Sequence, residues 1–173
     1  MQEINVFVVD DHQIFLDGII SLLEDEPNIK IVGTAPNGKL ALERIRTTKA
    51  DVVLMDINMP EMDGIEATKQ LKKTNPDLKI LMLTMHSEPR FIKECLEIGA
   101  KGYVLKNISK DDLLKAIETV YQDKPYLDND TQEKLISSIS NADEEDDKNY
   151  DELAAQITQR ELEILQLIAL GLT

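Results

Sequence analysis

Apolar positions along most of the chain alternate between two rhythms. Ile4 to Val9 is a short, nearly continuous apolar run, the pattern of a strand buried on both faces. His12 to Asp25 then carries Ile14, Phe15, Ile19, Ile20, Leu22 and Leu23, a helical stripe that ends before Pro27. The alternation repeats. Strands are expected at Ile29 to Ala35, Val52 to Met55, Leu78 to Leu83 and Tyr103 to Leu105. Helices are expected at Gly38 to Lys49, Asp63 to Lys73, Pro89 to Ile98 and Asp111 to Tyr121, the last with Ser109 as its N-cap. Five strands alternating with five helices through short loops predict an α/β fold, a doubly wound parallel sheet with helices on both faces. A five-stranded unit of this size fits the flavodoxin-like order 2-1-3-4-5.

After Gln122 the rhythm changes. Asp130 to Ile139 can form one more helix, whereas Asn141 to Glu152 is dominated by Asp and Glu and reads as a solvated linker. Ile157 to Leu172 resumes helical periodicity through Leu162, Ile164, Leu165, Leu167 and Ile168. One helix cannot bury its own apolar face, so this tail reads as the first element of a second domain. The expected division is 1–122, a complete α/β domain; 123–157, a helical extension and acidic linker; and 158–173, the start of a further helical domain.

Composition narrows the function classes. The 173 residues hold 19 Lys and Arg against 33 Asp and Glu, a net charge of -14, which argues against a nucleic-acid surface, since phosphate contacts need a basic patch. The single cysteine, Cys95, excludes a disulfide framework and a cysteine-based zinc site, and its place in an apolar stripe predicts a small buried hydrophobe. No apolar run reaches the roughly 18 residues of a membrane span, and the amino-terminal stretch lacks the pattern of a signal peptide. A cytoplasmic, acidic, globular protein is expected.

In an open parallel sheet, ligands bind beyond the carboxyl ends of the strands, at the switch point between the first and third. There the chain places Asp10 and Asp11 after the first strand, Asp56 after the third, Thr84 at the end of the fourth and Lys106 after the fifth. Three carboxylates on one rim repel each other, a conflict that a hard divalent cation relieves. With Lys106 and the Thr84 hydroxyl, the set suits a phosphoryl group passing to a carboxylate nucleophile. An aspartate needs no histidine base, being ionised at neutral pH.

The string Asp56-Ile57-Asn58-Met59-Pro60-Glu61-Met62-Asp63-Gly64-Ile65-Glu66-Ala67, with Asp10-Asp11, Thr84 and Lys106 at matching strand ends, resembles a response-regulator receiver domain of the CheY-like fold over residues 1–122. The resemblance implies that Asp56 is the phosphoacceptor and that Asp11, Asp56 and the Asn58 main-chain carbonyl bind Mg2+ directly, with Asp10 acting mainly through water. It further implies that Thr84 and Lys106 hold the phosphoryl oxygens and that Tyr103 is an aromatic switch turning inward as Thr84 moves. The donor would be a histidine kinase or a histidine phosphotransfer protein. The product would be a regulatory phosphoprotein with self-catalysed transfer and slow autodephosphorylation, not an enzyme acting on other substrates.

The stretch Leu105 to Leu114 and the tail Thr158 to Thr173 are similar to NarL/FixJ-type transcriptional regulators, the tail resembling the opening of a LuxR-type helix-turn-helix domain. A recognition helix reads base edges in the major groove, and no such helix follows in this sequence, so DNA binding is expected only of a longer protein. Homodimerisation is expected through the face of the fourth helix, fifth strand and fifth helix, or through the carboxyl-terminal helix.

Competing readings attach to the same residues. A phosphatase of the haloacid-dehalogenase type needs D-x-D-x-[TV] after its first strand, which neither Asp10-Asp11-His12-Gln13 nor Asp56-Ile57-Asn58 supplies. A degenerate module using only the fold conflicts with the intact acid set. His86 either influences water at an acyl phosphate or is a surface histidine, and His12 is read as a helix-start residue. Met55, Met59, Met62, Met82 and Met85 are read as packing. Gly33 to Gly38 lacks both G-x-G-x-x-G and the P-loop lysine and is read as a turn.

Overall fold

A computed structural model of the protein describes residues 3–145, with side chains through Ser138. The expected elements form with small shifts at their ends: β1 (Ile4–Val9), α1 (Gln13–Leu23), β2 (Ile29–Ala35), α2 (Gly38–Ile45), β3 (Val52–Met55), α3 (Gly64–Thr74), β4 (Lys79–Thr84), α4 (Pro89–Glu97), β5 (Gly102–Leu105) and α5 (Lys110–Tyr121). Ser109 caps α5 as expected, its hydroxyl accepting from the Asp112 amide. Two elements follow, β6 (Tyr126–Leu127) and α6 (Asn129–Glu145).

The sheet is parallel throughout, in the order β2-β1-β3-β4-β5-β6. The expectation of five strands is therefore corrected to six within the same fold class. A two-residue strand is too short to show a period of its own, but Tyr126 and Leu127 pair with Gly102 and Tyr103 and make β5 an interior strand. The helix expected at Asp130 to Ile139 starts one residue earlier and runs to Glu145. Residues 141–145 of the expected linker are thus helical, as Ala142, Glu144 and Glu145 favour. Residues 146–152, and the tail helix with its domain assignment, lie outside the described residues.

Because side chains alternate across a strand, each strand feeds two cores. Val6, Val8, Leu54, Leu81 and Val104 pack with Leu16, Ile19 and Leu23 of α1 and Leu113, Ile117 and Val120 of α5. Phe7, Val9, Val53, Met55, Ile80, Met82 and Tyr103 pack on the other side with residues of α2, α3 and α4, joined by Leu127 and Leu135 from the extension. Cys95 is fully buried there, and burial pushes its thiol up to about 12. Doubly covered strands stack their carboxyl ends on one rim, and that rim carries the acids.

Candidate functional site

Backbone pairing delivers the site. The Asp10 amide donates to the Ala35 carbonyl at 3.1 Å and the Asp56 amide to the Val9 carbonyl at 3.0 Å, so the ladder continues one residue past each strand. The Lys106 amide donates to the Thr84 carbonyl at 2.9 Å in the same way. The result is a buried cluster, with Lys106 Nζ 2.5 Å from Asp10 Oδ2 and 2.8 Å from Asp56 Oδ2, all three side chains at most 7% exposed. The remaining oxygens are also occupied: Asp10 Oδ1 accepts from the His12 amide at 2.9 Å and Asp56 Oδ1 from the Ile57 amide at 2.8 Å.

Asp11 lies outward, its carboxylate 2.9 Å from His12 Nδ1. Asp10, Asp11, His12 and Asp56 each present a ligand atom, all within 4.8 Å of one another. His12, read from sequence only as a helix-start residue, joins the acid cluster; its position beside two acids at a strand end is the signal that could have placed it there.

The electrostatics follow from burial. Desolvation pushes the Asp56 carboxyl up, aided by the charge of Asp10 and opposed by the hydrogen bond and charge of Lys106. Burial alone would pull the Lys106 ammonium down, but its hydrogen bonds to Asp10 and Asp56 and their charges outweigh it and hold it above its usual value. One cation serves two buried carboxylates, leaving a surplus of negative charge suited to a hard cation.

Thr84 and Tyr103 meet through a third residue. Thr84 is fully buried, and its Oγ1 accepts from the His86 amide at 3.3 Å. The Tyr103 hydroxyl donates to the His86 carbonyl at 2.8 Å with its ring wholly buried, so the ring is already inward while Thr84 holds the His86 amide, unlike the inward turn expected of it; desolvation pushes that phenol up. The His86 ring nitrogen Nε2 lies 2.6 Å from the Asn58 side-chain nitrogen Nδ2, and the ring stacks at a tilt on Phe91, ring centroids 4.6 Å apart. The histidine left open by the sequence is thus a node joining the loops after β3 and β4.

The loop after β3 is shaped by Gly64. A Cβ there would lie 1.8 Å from the Asp56 carbonyl oxygen, so only glycine lets the start of α3 close against the residue bearing the buried carboxylate. Asp63 caps that helix by accepting from the Glu66 amide at 2.8 Å.

Residues 6–118 match the response regulator receiver domain family. The chain belongs to the response regulators of two-component systems. It is 34% identical over 179 residues to the transcriptional regulatory protein DegU of Brevibacillus brevis, covering 98% of this chain and 76% of that protein. Among solved structures, a LuxR-family two-component response regulator from Aurantimonas sp. SI85-9A1 matches with a TM-score of 0.77 at 30% identity, over 80% of this chain and 99% of that one. The response regulator RcsB in complex with DNA matches with a TM-score of 0.73 at 29% identity, over 98% of this chain and 78% of that one. The function shared with these relatives is that of a receiver in a regulator of transcription.

Proposed function

We propose that Asp56 is the phosphoacceptor, taking a phosphoryl group from a histidine kinase or a histidine phosphotransfer protein. The observation that carries this is Lys106 Nζ lying 2.5 Å from Asp10 and 2.8 Å from Asp56 in a buried, net-negative pocket. A carboxylate oxygen of Asp56 attacks phosphorus in line; the P–O bond forms as the P–N bond to the donor imidazole breaks. The electron pair stays on the imidazole nitrogen, which takes a proton from solvent. Lys106, already aimed at Asp56, stabilises the equatorial oxygens, and Thr84 supplies a hydroxyl to the product. Asp11, Asp56 and the Asn58 main-chain carbonyl would hold Mg2+, with Asp10 mainly through water, and such an ion would supply charge neutralisation at the phosphoryl oxygens. The acids fit such an ion, since ligand atoms of Asp10, Asp11 and Asp56 lie within 4.8 Å of one another and all three residues offer oxygen.

The output follows from the His86 node. When Thr84 turns toward the phosphoryl group it gives up the His86 amide, loosening the backbone that the Tyr103 hydroxyl grips, and the α4–β5 side shifts between two states. That change controls transcription through a helix-turn-helix region that residues 158–173 begin to resemble, as fits the likeness to DNA-bound RcsB. The protein acts in the cytoplasm as a regulatory phosphoprotein and not as an enzyme on external substrates. With Mg2+ and acetyl phosphate the protein gains the mass of one phosphoryl group, and Asp56→Asn does not. Equal labelling of the Asn variant, or multiple turnover on phosphate esters, overturns this reading.

A further inference from the structure

Lys106 has three ammonium donors on a flexible four-carbon stem. Asp10 and Asp56 take two of its directions. On a further side stands Phe15, with Nζ 4.5 Å from the centroid of its ring. Phe15 belongs to the first turn of α1, where its amide donates to the His12 carbonyl at 2.9 Å, so one short segment supplies both the carboxylate of Asp10 and this aromatic wall. The ring is half-buried against the α1–α5 core, and beyond it lies an apolar groove that Ile14 and Met85 also line. An ammonium over an aromatic face, shielded from water, is held electrostatically by the ring's negative quadrupole.

We propose that Phe15 is a positioning residue for phosphoryl transfer: its ring holds the Lys106 ammonium between Asp10 and Asp56 and blocks its escape along the groove. The inference rests on Asp56 as the phosphoacceptor and adds the residue that keeps its cation in register. Packing alone would be served by any apolar side chain of similar volume, but the electrostatic hold requires an aromatic face.

The experiment measures the labelling rate with acetyl phosphate and Mg2+ for the wild type, Phe15→Leu, Phe15→Met, Phe15→Tyr and Asp56→Asn, each with its melting temperature. The Leu and Met variants are expected to label about tenfold more slowly, and Tyr to restore the rate to within about twofold. Rates that follow melting temperature and not aromaticity overturn the proposal, as does wild-type labelling of either folded apolar variant. If only one apolar variant folds, it alone decides against Tyr. If neither folds while Tyr does, Phe15 is a packing residue and the proposal fails. Labelling of Asp56→Asn would strike the underlying assignment instead, an outcome separable from the behaviour of the Phe15 series.

Discussion

Asp56 is held in an environment that disfavours its own charge, and stability should show it. Burial raises its folded pKa above the ordinary carboxylate value, with Asp10 adding to the rise and Lys106 offsetting it in part. The folded state therefore keeps this proton to higher pH than the unfolded chain does. Well below the ordinary carboxylate value of about 4, where both states are protonated, the group costs nothing; the penalty grows as pH rises from that value to the folded pKa and is complete above it. Asp56→Asn removes a buried charge while leaving Lys106 paired with Asp10. The variant is expected to be more stable than the wild type at pH 7 by about 1 kcal/mol, with the difference vanishing near pH 3.5. Urea melts at the two pH values check this, and a variant less stable at pH 7 contradicts it. The same residues show what a sequence can disclose about a site. The gathering of Asp10, Asp11, Asp56 and Lys106 was legible because each sits at a strand end, and parallel strands share a rim. Gly64, Phe15 and the His86 node were not, because their roles depend on distances, such as a Cβ 1.8 Å from a carbonyl oxygen, that no spacing encodes.

At the scale of elements, β6 and α6 place structure on the edge expected to be free. Leu127 continues the ladder beside Tyr103, and Leu135 is buried in the core shared with α4. One side chain pins the extension: Asp128 Oδ2 accepts from the Leu105 amide at 2.7 Å, and its Oδ1 caps α6 by accepting from the Thr131 amide at 2.8 Å. The residue so gripped stands between Tyr103 and Lys106, so α6 is registered to the strand that carries both. Asp128→Ala forfeits a helix cap and a charge-assisted bond, together about 2–3 kcal/mol. Amide exchange is expected to quicken at Leu105 and through α6 while β1 and β3 keep their protection; uniform loss of protection would mean the pin is not local. Hydrophobic period exposed the first five strands and five helices because each is long enough to bury a face. It missed β6, only two residues long, and stopped α6 short because acidic density was read as linker where helix propensity prevailed.

For the molecule as a whole, the net charge of -14 makes the effect of a divalent cation ambiguous unless the site is tested against the surface. Any cation screens general repulsion and raises the melting temperature somewhat. A cation held by the cluster of Asp10, Asp11 and Asp56 adds a saturable term, RT ln(1 + [L]/Kd), about 1.4 kcal/mol at ten times Kd, or about 4 °C for a domain of this size. The two contributions separate in variants. Asp11→Asn removes an outward carboxylate that makes no pair with Lys106, so it should fold normally yet lose most of the saturable shift with Mg2+. A control variant at the exposed acid Asp17 alters net charge equally and should keep that shift in full. Sodium chloride matched for ionic strength should give both variants the same small, unsaturable rise. If the two respond alike to Mg2+, the ion acts only by screening, and the acidic rim is a charge surplus answered by Lys106 alone.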